Sequence, residues 1–503
     1  MNGANHKITT RRAIASREAA VHNLPGSPFV TVSKQLSFLT LLMVILYLLL
    51  LYYFCYTSSA SAPHPVPRML AVTALVLAST SPMWFRYRDV GVFHPLYVSS
   101  AYILLKSTIP NARSWADGLD YHGAVPGMSP SSVAMLQVQV MLLNALSWIC
   151  TIIGYHFAKG ISWKAIRFYD RKRPLVFGAI LAAVIGFGSM YLLIELSGGF
   201  PEHLKNITRG HSSRVYVGDA EWASIYAVLS QLTIVAPAIW ILKGKNPFRN
   251  PLLWLLVIGT VGSGYLVNGR RSALLMRVIV LTACWILRQR KLALGRLALI
   301  GFALFAMVGI AGEFRRSNWK KGQDVSFEAL TDLTIEDSIS KSLEELEARR
   351  DSGAIYPIVA RVPADTPYLL GENYFNYINR FIPRFIWKDK PRGIGMDCAR
   401  IFYGRIDSGG IPPGSLGEAY WSGGVIGIVI VFLIWGAMLK SFGNFFVRHR
   451  HSAIACLVYL ATVTTLGPSE PQFRAWLYLI APTVIVLTAA GLIKFGKPSR
   501  RAV

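Results

Sequence analysis

Charge is scarce in this 503-residue chain: only 16% of its residues are Asp, Glu, Lys or Arg, against 53% apolar and 12% aromatic, and the mean hydropathy is +0.41. So low a charge excludes an ordinary soluble enzyme, and so high an apolar content excludes a disordered chain. Acids are scarcer still, with 26 Asp and Glu against 52 Lys and Arg and a formal net charge of +26. In a soluble protein that excess would suggest nucleic acid, so the position of the cations decides the matter. Of the five cysteines, Cys55, Cys150, Cys284 and Cys456 lie inside apolar runs and only Cys398 lies elsewhere, which rules out a disulfide framework. The chain has no Cys/His cluster, no His-Glu-x-x-His and no Asp-x-Asp. Metal chemistry is therefore disfavoured, and no cofactor is expected.

What is present is apolar runs long enough to cross about 30 Å of hydrocarbon, roughly 20 residues each. They fall near 36–56, 69–85, 91–109, 131–158, 175–197, 222–242, 251–268, 272–288, 297–312, 419–439, 453–467 and 476–493. The expected fold class is an all-α polytopic membrane protein of about twelve transmembrane helices. Residues 1–35, with Arg11, Arg12, Arg17 and Lys34, lack a short apolar core followed by a small-residue cleavage site, and read as a retained cytoplasmic tail.

Alternating sides from that tail, the inner segments hold 27 Lys and Arg against three acids, Glu18, Asp89 and Asp170. This is the positive-inside pattern, so a nucleic-acid partner is not expected. The division is a tail at 1–35, nine spans over 36–312, a large outer loop at 313–418, three spans over 419–493 and a second inner tail at 494–503. The loop holds 16 of the 26 acids beside 15 Lys and Arg, is not low-complexity, and is long enough to suggest function. Within it Thr334 to Asp337 reads as a capping box, followed by Ile335, Ile339, Leu343 and Leu346 at helical spacing.

From Tyr374 to Arg392 one helical face is aromatic and apolar while Arg380, Arg384 and Lys388 recur at i, i+4 and i+8, with Trp387 beside them and Pro383 breaking the helix midway. Such a segment can lie in the membrane interface with its cations on lipid headgroups. Alternatively its arginines hold the phosphates of a lipid-linked substrate, since the guanidinium fork matches phosphate oxygens. The turn Asn268-Gly269-Arg270-Arg271-Ser272 puts two cations on the outer side, at what should be a helix N-terminus, an anion-favouring place. Arg277 lies about 10 Å deeper on the same helix, where a cation costs roughly 2.5–3.5 kcal/mol on insertion scales; it reads either as functional or as paired with Glu195 or a carbonyl. At the end of the loop, Gly409 to Gly424 reads as a rigid turn into a span, carrying Glu418 with Tyr420 and Trp421. The last outer turn, Gly467-Pro-Ser-Glu470-Pro-Gln-Phe-Arg474, repeats the theme. A carboxylate, nearby cations and aromatic faces are what glycosyl transfer from a phosphate leaving group requires, although aromatics at this depth also form interfacial belts.

The span pattern, the long outer loop, the Asn-Gly-Arg-Arg turn and the runs Arg380-Phe-Ile-Pro-Arg-Phe-Ile-Trp-Lys-Asp-Lys-Pro and Pro412-Pro-Gly-Ser-Leu-Gly-Glu-Ala-Tyr-Trp-Ser-Gly-Gly resemble the bacterial Wzy-type O-antigen or oligosaccharide repeat-unit polymerases. The resemblance implies a GT-C-type membrane glycosyltransferase with a mainly helical periplasmic loop. It implies an inner-membrane enzyme that moves a growing glycan from undecaprenyl diphosphate to the terminal sugar of another lipid-linked repeat unit, without metal. It also implies membrane lipids and a chain-length regulator as partners. Carried onto this chain, it makes Glu418, Arg270 and Arg384 catalytic and gives Arg271, Arg277, Arg380, Arg392, Arg474, Glu470, Tyr420, Trp421 and Trp387 to substrate binding. The rival O-antigen ligases use a histidine in the long loop, and none of the ten histidines here lies within 313–418. A lipid-linked oligosaccharide flippase or transporter would show repeats between its halves, and none is found.

Overall fold

The computed structural model describes residues 64–84, 91–103, 127–208, 220–269, 271–289, 354–379, 393–404 and 410–496, with isolated residues in 295–310 and at 387 and 391. It is mostly helical: α1 (Pro65–Trp84), α2 (Pro95–Ile103), α3 (Pro130–Phe157), α4 (Lys172–Leu196), α5 (Phe200–Thr208), α6 (Ala220–Leu229), α7 (Val235–Lys243), α8 (Pro251–Asn268), α9 (Arg271–Gln289), α10 (Ile355–Arg361), α11 (Glu372–Asn379), α12 (Ile394–Tyr403), α13 (Gly414–His449), α14 (Ala453–Thr465) and α15 (Glu470–Ala489). Six apolar stretches among the described residues are long enough to cross a bilayer: 130–157, 172–196, 222–243, 272–289, 414–449 and 470–489. This is the architecture of an all-α membrane protein. Val66–Pro82, Pro251–Val267 and Ala453–Thr465 are shorter apolar helices. The run at 36–56 and the helix expected after Thr334 lie outside the described residues, as do most of 297–312 and 104–109.

Local chemistry sets the helix ends. Ser129 and Asn250 cap α3 and α8 by accepting from Ser132 N–H (3.2 Å) and Leu252 N–H (2.9 Å), and each is followed by proline at the first helical position. Gly269 ends α8 in the left-handed region (φ 62°), which lets α9 start two residues later and makes the very tight turn the sequence demanded.

Several features depart from expectation. The helix expected over 222–242 contains a 3-10 turn at Ser230–Ile234. The chain is also not purely helical, because β1 (Ile166–Phe168) pairs antiparallel with β2 (Ile493–Phe495) where the last span was expected to continue to 493. That ribbon belongs to one end of the bundle, where the connections after α3, α7, α13 and α15 meet. Asp170 pairs with Lys243 at 3.0 Å and accepts from Ser452 Oγ and Ala453 N–H, both at 2.7 Å, capping α14. Trp163 donates to the Ser441 carbonyl at 2.6 Å, and Arg288 donates to those of Ile241 (2.8 Å) and Gly244 (2.5 Å). In the described segments 158–173, 243–250, 440–452 and 490–496, Asp170 is the one acid.

At the opposite end α13 breaks. Gly423 and Gly424 leave helical geometry, so a two-turn helix at 414–422 precedes the spanning part, in place of the rigid turn expected there. Gly424 adopts φ 61° and ψ −140°, a region closed to L residues, and a Cβ there would lie 2.8 Å from Tyr368 Oη. Gly423 has an extended φ of −178° and open space around it. Gly424→Ala should therefore lower stability by about 1–3 kcal/mol in detergent melting, while Gly423→Ala should change it little.

Candidate functional site

Glu418 lies on the short helix before this break and its side chain is fully buried. Tyr377, on α11, donates its phenolic O–H to Glu418 Oε2. The backbone N–H of Glu470 donates to both carboxylate oxygens, at 3.0 and 3.2 Å. Glu470 is the first residue of α15, whose preceding Ser469 makes no side-chain cap bond. Glu418 thus caps α15 through space, its carboxyl oxygens accepting at the free N–H end of that helix. The ring of Tyr377 stacks on Phe473 of α15 at 5.4 Å between centroids. Burial, reinforced by the Glu418 charge, pushes the Tyr377 phenol far above its usual range, so it stays a neutral donor. On α12, burial and then the same carboxylate push the Cys398 thiol up to about 12 and hold it protonated.

One turn after Glu418, Ser422 Oγ lies 2.7 Å from both the Glu418 carbonyl and Asn373 Oδ1. A hydroxyl has one hydrogen and serves one of these acceptors at a time. Asn373 is buried, and its Nδ2 has no partner among the described residues. Arg474 approaches Glu470 at 3.5 Å one turn into α15; Glu470 is buried, and the Arg474 side chain is 36% exposed. At that exposure the pair is weak and the guanidinium keeps donors to offer.

Arg277 belongs to a separate cluster. It is buried, and its Nη1 donates to the Thr260 carbonyl (2.6 Å), Thr233 Oγ1 (3.2 Å) and Ser263 Oγ, while Nη2 donates to Gln231 Oε1 (3.0 Å). Of the two structural pairings weighed from sequence, the carbonyl is present and Glu195, which is exposed, is not a partner. The cluster fills the space where the 3-10 turn 230–234 passes α8 and α9, which accounts for that interruption: the turn aims Gln231 and Thr233 at the guanidinium.

Tyr420 and Trp421 are buried in the apolar core, and Trp421 packs edge-on against Phe402 at 5.0 Å. As folded, neither ring has a face open to a sugar. Trp387 is half-buried. Arg270, Arg380, Arg384 and Arg392 lie outside the described residues; Arg271 begins α9 and its side chain lies outside them too. No group of three or more His, Cys, Asp or Glu that could hold a metal occurs among the described residues.

Sequence reasoning missed Tyr377, Asn373, Ser422 and Phe473. It also missed the partners of Arg277, for which polar residues inside apolar spans, Gln231, Thr233, Thr260 and Ser263, were the available signal.

Residues 220–445, from α6 to near the end of α13, match a family described as Domain of unknown function (DUF8712). The match is under half of the chain; it includes Arg277 and Glu418 and stops short of Glu470 and Arg474. No curated protein and no solved structure matches the chain.

Proposed function

We propose that this protein is a polysaccharide polymerase of the Wzy type, transferring a growing glycan from undecaprenyl diphosphate to the terminal sugar of a second lipid-linked repeat unit. The observation that carries the reading is the convergence on one buried carboxylate of an aromatic donor from α11 and a helix N-terminus from α15, with Arg474 one turn along that helix paired to the neighbouring Glu470. In the reaction, Glu418 accepts the proton of the acceptor hydroxyl as the hydroxyl oxygen bonds to the anomeric carbon. The bond from that carbon to the diphosphate oxygen breaks, and outer arginines stabilise the leaving charge, so no metal is required. Because Tyr377 and Phe473 close over Glu418, α11 must lift for the acceptor to reach it. Arg270 and Arg384 are the proposed diphosphate clamp, with Arg271, Arg380, Arg392 and Arg474 supporting it. The cation-rich ribbon end supports a cytoplasmic placement of that end and a periplasmic placement of Glu418, in the bacterial inner membrane.

Arg270→Ala and Arg384→Ala should each abolish chain extension while the protein inserts normally; unchanged polysaccharide length profiles in both overturn the clamp. A deletion strain tests the wider reading. Export of single repeat units supports a polymerase, whereas loss of all export overturns it in favour of a flippase.

A further inference from the structure

The helix that covers Glu418 has a second face. On α11, Asn373 and Tyr377 point inward, and Phe375, two residues and about 200° from Tyr377, is 71% exposed. Just before the helix, Leu370 is 83% exposed and sits in the left-handed region at φ 48°. A leucine there costs about 1–2 kcal/mol in backbone strain, with its side chain left bare as well. Among the described residues no packing covers that side chain.

The neighbours of this loop locate it. Leu369 N–H donates to the Trp421 carbonyl at 2.9 Å, and Tyr368 stands against Gly424, so residues 368–371 are fastened to the break in α13. Immediately after the break, Ile426, Ile430 and Ile434 form an exposed stripe at i, i+4 and i+8 along the spanning part of that helix. On a membrane-crossing helix such a stripe is the lipid-facing surface. Leu370 is thus tied beside the break from which the stripe begins, and Phe375 follows it on the outer face of α11.

We propose that Leu370 and Phe375 insert into the headgroup and acyl boundary of the leaflet at the Glu418 end, making α11 an interfacial helix whose outer face is seated in lipid while its inner face holds the carboxylate. The proposal rests on the membrane architecture and stands apart from the polymerase reading. Lipid then sets the depth of α11 and resists the lifting that would uncover Glu418.

The test uses the full-length protein carrying Phe375→Cys or Leu370→Cys, labelled with an environment-sensitive nitrobenzoxadiazole dye and reconstituted in phosphatidylethanolamine and phosphatidylglycerol vesicles. Both positions are exposed, so both variants should fold, and unsubstituted protein labelled in parallel corrects for the native cysteines. Insertion predicts blue-shifted emission and severalfold stronger quenching by lipids with a nitroxide near the top of the acyl chain than by aqueous iodide. Water-like emission quenched mainly by iodide overturns the proposal. Emission shielded from both quenchers overturns it as well, because another protein segment then covers the patch.

Discussion

Glu418→Gln is expected to reduce chain extension by about 10²–10⁴-fold, the range spanned by a general base, while the protein still inserts and melts close to the parent. The asymmetry follows from the hydrogen bonds. A glutamine oxygen in the place of Oε2 can accept from both the Tyr377 O–H and the Glu470 N–H, so both neighbours keep a partner while basicity is lost. Glu418→Ala differs: it strands the buried Tyr377 hydroxyl and an end N–H of α15, at about 1–3 kcal/mol each, and should lower melting as well as activity. Comparing length profiles and detergent melts of the two variants separates chemistry from support. Parent-like extension in Glu418→Gln would leave the carboxylate a helix cap and nothing more.

The site was only half legible for a physical reason. Glu418 stood out as a carboxylate at the edge of an apolar run, and Glu470 with Arg474 as charges on a short turn. Their connection is not local: Tyr377 and Glu418 are 41 positions apart, and Glu418 and Glu470 52 apart. No periodicity reports contacts of that separation. Helical spacing put Tyr377 three residues after Tyr374 on the same aromatic face without singling it out, and nothing local says that its hydroxyl is what the buried acid requires. Tyr420 and Trp421 misled in the opposite sense. Beside a carboxylate at the membrane edge they look like platforms for a sugar, but core packing had the stronger claim on such large rings.

The fold was more legible, because helix positions depend on apolar length and on caps that are local. Gly269, Asn250-Pro251 and Ser129-Pro130 each mark a boundary within a few residues. The strands β1 and β2, three residues each and far apart in the chain, have no pattern long enough to read. Arg277 lies between these cases. A cation inside a span was visible, yet its partners are hydroxyls, an amide and a carbonyl from two other elements, the 3-10 turn and α8, gathered only once the helices pack.

A large stability loss is also expected where α3 crosses α13, at Gly154 and Gly436. In a bilayer, apolar side chains gain little by leaving lipid for protein, so helices that pack tightly rely on small residues that let backbones touch. Here the touch is direct. A Cβ on Gly436 would fall on the Thr151 carbonyl oxygen, 2.6 Å from Tyr155 N and 3.0 Å from Gly154 C; one on Gly154 would fall on the Leu433 carbonyl oxygen. None of these atoms is the end of a flexible side chain, so a methyl group forces the helices apart along the seam that joins α3 to the spanning part of the Glu418 helix. Gly436→Ala should cost about 1–3 kcal/mol or more by overpacking, read as a lowered melting temperature and a smaller monodisperse fraction. Gly188→Ala on α4, with open space around it, is the control and should be neutral or gain up to about 1 kcal/mol from helix propensity. Because both glycines open the same seam, the double variant Gly154→Ala/Gly436→Ala should lose less than the two single losses added together. Strict additivity would mean that the crossing yields at two independent points, and the backbone contact would not be what holds α13 in place.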